Sequence, residues 1–149
     1  MRAYLLDQPD HALSGADLNA EGILYWQLPT DEADYAAPLQ KLREERGYVQ
    51  MDVVNLHPDM PNLEPLLDKF FTEHIHTDEE IRFVVAGSGI FDLRDKDDRW
   101  MRVHVVPGDL VIVPANKYHR FTLEENRAIT CKRLFQNSAG WEAIFRPAA

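Results

Sequence analysis

The chain has 149 residues, 45% of them hydrophobic and 28% charged, which suits one domain with a sizeable core and excludes an intrinsically disordered chain. Lys plus Arg number 16 against 25 Asp plus Glu, for a formal charge of −9, and this excludes nucleic acid and anionic membrane as expected partners, because both require a basic surface. A single cysteine, Cys131, excludes an intrachain disulfide framework and Cys-rich zinc sites, so any metal site must use histidine nitrogen and carboxylate oxygen.

The N-terminus MRAYLLDQPDHAL has no signal-peptide pattern, and no apolar run approaches the roughly 18–20 residues of a membrane span. A cytoplasmic, monomeric protein is expected. Ser14–Ala20 predicts a short helical turn and Ile23–Leu28 an apolar strand. A short helix is expected from Pro38, at its first turn, through Arg46, with Gly47 as its stop. Tyr48–Asn55 reads as a strand. Leu63, Leu66, Leu67, Phe70 and Phe71 fall on one stripe of a helix capped by Asn62. From Glu73 onward the pattern becomes short β runs: Glu80–Ala86, a turn at Gly87-Ser88-Gly89, Ile90–Asp95, Arg99–Val106, a turn at Pro107-Gly108-Asp109, Leu110–Val113, His119–Leu123 and Ala128–Phe135. Both hairpin glycines are expected to supply positive φ. About seven strands at this spacing predict a sandwich or small antiparallel barrel. Residues 1–149 then form one domain, with a mixed N-terminal segment (about 1–72) packed on a β body (about 73–146).

The chemistry concentrates in EHIHTDEEIR. If that stretch is one regular strand, His74, His76 and Glu80 share a face, and Arg82 and Val84 continue it. His119, in PANKYHRF, begins a later strand and is the fourth candidate. Imidazole nitrogens with one carboxylate suit iron, nickel, zinc or manganese better than calcium or magnesium. Arg82 facing inward is placed to stabilise anionic charge; its bland alternative is a salt bridge to Asp78 or Glu79. On RWMRVHVV, His104 points away from the apolar face, and His11 and His57 lie in Pro-containing loops, so all three read as surface residues. Thr77-Asp78-Glu79 reads as a solvated loop and Cys131 as a small strand residue.

His74-x-His76-x-x-x-Glu80, followed by Gly87, resembles the first metal motif of the cupin superfamily. Gly108, Pro114, Asn116 and His119 resemble the second. Asp68 stands where a glycine commonly precedes the first histidine, and Asn116 replaces another usual glycine, a site where Asn tolerates the left-handed conformation. AEGILYW, KLREERGY, FFTEHIHTDEEIRFVVAGSGIFDLRDKDDRW, VPANKYHRFTL and KRLF narrow the resemblance to the acireductone dioxygenase family of methionine salvage, from about Gly22 to Arg146. The fold this implies is mainly β with flanking helices, a cupin-type antiparallel β-barrel (double-stranded β-helix or jelly roll).

The resemblance implies that His74, His76, Glu80 and His119 hold one divalent metal ion, iron(II) or nickel(II). It implies a small-molecule acireductone substrate that chelates this ion as an anion, and dioxygen as co-substrate. The ferrous form would yield formate and the oxo-acid precursor of methionine; the nickel form would yield formate, carbon monoxide and methylthiopropionate. Arg82 and Arg133 match catalytic pocket arginines. Phe70, Phe121 and Trp141 match aromatics around the methylthio tail, with Val84 as a further pocket wall, although Phe70 and Val84 serve equally as core and Trp141 as end-of-chain packing. Another cupin isomerase or oxygenase, or a metal-binding sensor without turnover, would keep the four ligands.

Overall fold

The computed structural model describes residues 2–136 and 143–147. Its elements in chain order are β1 (Arg2–Leu5), β2 (Gln8–Ala12), α1 (Gly15–Ala20), β3 (Leu24–Gln27), α2 (Glu32–Arg46), β4 (Gln50–Leu56), α3 (Leu63–Phe71), β5 (His74–Ile75), β6 (Glu80–Gly87), β7 (Gly89–Arg94), β8 (Trp100–Val105), β9 (Asp109–Val113), β10 (His119–Leu123), β11 (Ile129–Phe135) and β12 (Ile144–Phe145). The strands form a seven-stranded sheet, ordered β12-β5-β10-β7-β8-β1-β2, and a five-stranded sheet, ordered β3-β9-β6-β11-β4; all their pairings are antiparallel. The expected mainly β architecture holds, as two sheets sharing one core. No described helix is long and apolar enough to cross a membrane.

Period-two alternation places the core. Phe91, Leu93, Met101 and Val103 of the larger sheet join Val84, Val111, Val113 and Cys131 of the smaller sheet in one buried cluster. The opposite face of the smaller sheet is buried too: Ile81, Phe83, Leu110 and Ile112 pack against Tyr35, Leu39 and Leu42 of α2. A strand covered on both faces needs no polar alternation, which accounts for the continuous LVIV of β9.

Several boundaries differ from expectation. Helix α2 starts six residues before Pro38, because Asp31 caps it by accepting from the Ala33 amide at 3.3 Å and Glu32 and Asp34 place negative charge in its first turn. Pro38 is therefore inside the helix. Asn62 does stand at the N-cap of α3, but its side chain makes no capping bond. Strands β1 and β2 were not expected; β2 is exposed along its whole length and so carries no hydrophobic pattern, and it contains His11. At the hairpin, Gly87 has φ +75°, and a Cβ there would overlap the Ala128 carbonyl. Gly89 does not have positive φ; it is needed for space, because a Cβ there would lie 2.6 Å from the Phe121 ring.

Candidate metal centre

The stretch from His74 to Glu80 is not one regular strand. β5 pairs with β10 in the larger sheet, with His74 opposite His119, and β6 runs between β9 and β11 in the smaller sheet. Residues 76–79 carry the chain from one sheet to the other, so the shared face expected from strand parity arises at a crossover. Asn116 secures this crossover: its amide donates to the His76 carbonyl at 2.8 Å, and its φ of +63° is the left-handed conformation expected there.

His74, His76 and His119 are buried, and their ligand atoms lie within 4.8 Å of one another. His74 Nδ1 donates to the Thr72 carbonyl at 2.6 Å, and His119 Nδ1 donates to the Lys117 carbonyl at 2.9 Å. A carbonyl only accepts, so each imidazole carries its proton on Nδ1 and presents the Nε2 lone pair. Burial lowers the His119 pKa to about 3 against the pull of Glu80, keeping the ring neutral. Glu80 is 1% exposed, and its Oε1 lies 3.6 Å from His76 Nε2 and 3.9 Å from His119 Nε2. Burial raises the Glu80 pKa, but nearby positive charge, the Arg82 guanidinium foremost, outweighs it and holds the carboxyl at about 2.

His119 Nε2 and Glu80 Oε2 are buried without a hydrogen-bond partner. Leaving such atoms dry and unpaired costs about 1–3 kcal/mol each. A divalent cation satisfies them together, because neutral imidazole nitrogens and an ionised carboxylate are its natural donors. The donor set therefore fits a first-row transition metal.

Arg82 reaches Glu80 Oε1 through Nε at 3.3 Å and Nη2 at 3.1 Å, so its ion pair is with Glu80 rather than with Asp78 or Glu79. Arg133 lies directly opposite Arg82 in the β6–β11 register. It grips Asp52 of β4 with two bonds, Nε–Oδ1 at 2.7 Å and Nη2–Oδ2 at 2.5 Å. Both arginines line a cavity of about 230 Å³ together with His74, His76, Phe70 and Lys69. A smaller, mainly apolar chamber of about 20 Å³ shares Phe70, His74 and Arg82 with this cavity and is walled also by Val84, Phe91, Phe121 and Cys131. Phe121 sits between Phe70 and Phe91, at ring-centroid separations of 6.2 and 4.9 Å. The structure thus brings together nine of the ten residues singled out from the sequence; Trp141 lies outside the described residues.

Glu79 corrects the reading of Thr77-Asp78-Glu79 as a solvated loop. Its carboxylate accepts two bonds from Arg46 at 2.6 and 2.7 Å and one from the Tyr48 hydroxyl at 2.9 Å. The end of α2 is thereby tied to the residue beside Glu80. Nothing local in the sequence names Arg46 as the partner of Glu79. His104 also differs from a free surface side chain. It points outward, but shares hydrogen bonds with Tyr4 Oη at 2.8 Å and Glu124 Oε1 at 2.5 Å. Cys131 is a wall of the apolar chamber.

Residues 6–143 match the model of the ARD/ARD' family. The chain is 44% identical over 146 residues to an acireductone dioxygenase from Dictyostelium discoideum, covering 98% of this chain and 99% of that one. It is 50% identical over 127 residues to acireductone dioxygenase 4 from Arabidopsis thaliana, covering 85% of this chain and 68% of that one. The solved structure of acireductone dioxygenase from Bacillus anthracis, with a cadmium ion in its active center, superposes with a TM-score of 0.89 at 30% identity over 97% of both chains. With a buried three-histidine cluster beside a carboxylate and a matching sequence and fold throughout, the chain belongs to the ARD/ARD' family of acireductone dioxygenases.

Proposed function

We propose that the chain is a metal-dependent acireductone dioxygenase that cleaves carbon–carbon bonds of a methylthio-substituted acireductone with dioxygen. The observation that supports this most strongly is the dry donor set: His119 Nε2 and Glu80 Oε2 are buried and partnerless, His119 within the three-histidine cluster and Glu80 with its other oxygen 3.6 Å from His76 Nε2. His74, His76, Glu80 and His119 would hold one divalent ion per chain, iron(II) or nickel(II). That ion supplies Lewis acidity and an anchoring point for the oxygens of the substrate.

The remaining work falls to the protein. The carbonyls of Thr72 and Lys117 keep protons on the Nδ1 atoms of His74 and His119, so the ligand face of each ring stays unprotonated. Arg82 holds Glu80 ionised and presents its guanidinium to the same cavity. An enediol next to a ketone is acidic, and its anion is stabilised by charge-assisted donors in a site shielded from water. Arg133, aligned by Asp52, supplies a second guanidinium for that anion. Phe70, Val84 and Phe121 provide the apolar wall for the thioether tail, and Trp141 belongs to the same pocket in this reading. The same reading makes the protein a cytoplasmic monomer of methionine salvage.

Elemental analysis of the purified protein, followed by separate reconstitution with iron(II) and nickel(II), tests this assignment. The iron form is expected to release formate and the oxo-acid precursor of methionine. The nickel form is expected to release carbon monoxide with formate and methylthiopropionate. Identical products from both loaded forms would refute the metal-dependent product sets.

A further inference from the structure

We propose that Lys69 is a further substrate-binding residue, whose ammonium at the rim of the 230 Å³ cavity draws in and holds the acireductone anion; this rests on the function proposed above. Three cationic side chains line that cavity: Arg82, Arg133 and Lys69. Two are already balanced, Arg82 by Glu80 and Arg133 by the two oxygens of Asp52. Lys69 is exposed on the last turn of α3, and its ammonium has no carboxylate or carbonyl partner among the described residues. Asp68 is its nearest acid in sequence, but adjacent residues on a helix do not face each other.

The surroundings make this free charge consequential. A chain of formal charge −9 repels an approaching anion at long range, so local positive potential at the cavity mouth decides the encounter. The guanidinium groups of Arg82 and Arg133 act within the cavity, after entry. Lys69 stands beside Phe70, which lines both the polar cavity and the apolar chamber. Lysine stems cover apolar surface while the ammonium stays in water, and Lys69 is both exposed and part of the cavity lining. A lysine in a last helical turn also complements the helix dipole. That role acts on stability and is indifferent to substrate charge.

The test uses the metal-loaded full chain and the variants Lys69→Met, Lys69→Arg and Lys69→Glu, with metal content and melting temperature measured for each. KM and kcat for acireductone are recorded from about 0.01 to 1 M ionic strength, across which the screening length falls from ~30 to ~3 Å. Anaerobic titration with acireductone, followed by its ultraviolet absorbance, gives the dissociation constant without turnover. At low salt, Lys69→Met is expected to raise KM and the anaerobic dissociation constant about three- to tenfold, mainly through KM rather than kcat. Lys69→Glu should raise both further, Lys69→Arg should restore them, and the differences should vanish at high salt. Equal low-salt dissociation constants for the wild type and Lys69→Met, or a difference that salt leaves unchanged, would overturn the role of Lys69. A wild type that binds metal yet consumes no dioxygen would instead defeat the proposed function, and the anaerobic titration would still decide on Lys69.

Discussion

Gly89→Ala puts one methyl group where the structure has no room for it. The added Cβ would lie 2.6 and 2.8 Å from two atoms of the Phe121 ring and 3.1 Å from Ile129 Cδ1. Favourable carbon–carbon contact is at about 3.5–4.0 Å, so the ring must move by roughly 1 Å. Phe91, tilted against it at a centroid separation of 4.9 Å, limits that movement, and Phe121 also lines the 20 Å³ chamber. Overpacking of this kind costs about 1–3 kcal/mol, equivalent to a fall of roughly 3–10 °C in melting temperature for a chain of this size. Because moving Phe121 reshapes the chamber proposed for the thioether tail, KM for acireductone should rise while metal stoichiometry stays at that of the wild type. Scanning calorimetry and steady-state kinetics measure the two effects. An unchanged melting temperature together with an unchanged KM would show that Phe121 is not confined as described, and the chamber assignment would fall with it.

Glu79→Gln should weaken metal binding about tenfold in an equilibrium metal titration, because the Arg46 and Tyr48 bonds that fix the chain beside Glu80 lose their ionised acceptor; unchanged affinity would make the Arg46 tie irrelevant to the site. His119→Ala should abolish stoichiometric metal retention, whereas His104→Ala should keep the metal and lower stability by about 1–2 kcal/mol through its lost bonds to Tyr4 and Glu124; elemental analysis and thermal melting separate the two. The Asp95 pKa has a definite sign. Burial raises it, but the amides of Arg99 and Asp97 and the Arg99 guanidinium bring it below its ordinary value of 3.8. Its contribution is therefore present above pH 3.8 and lost as pH falls through the lower folded-state value. Asp95→Ala should cost about 2 kcal/mol at neutral pH, and the stability gap between variant and wild type should narrow as pH falls through the folded-state value; a constant gap down to the lowest pH would contradict this.

Where the sequence pattern sufficed, the reason is local. The β runs from Glu80 to Phe135 announce themselves because their side chains alternate or form short apolar blocks between turn residues, and the metal motif is legible because its donor types are rare together. Less local features escaped. His74, His76 and Glu80 are brought near one another by a sheet-to-sheet crossover, which no strand parity encodes, and that crossover is bonded to Asn116 at φ +63° and, through Glu79, to Arg46. The direction of Arg133 became readable only from its register opposite Arg82, since Lys132 and Leu134 beside it do not mark one face as polar. Helix α2 hid its first turns because Glu32 and Asp34 look like loop residues until Asp31 is seen capping them. Strand β2 is exposed throughout, so backbone pairing with β1 is its chief support.

Dioxygen uptake by protein loaded with one equivalent of iron(II) tests the central claim most directly. On mixing with anaerobically prepared acireductone, the wild type should consume one dioxygen per substrate, and His119→Ala should lose this activity together with its metal. Metal bound at the His74, His76, Glu80 and His119 cluster with no dioxygen consumed would contradict the account.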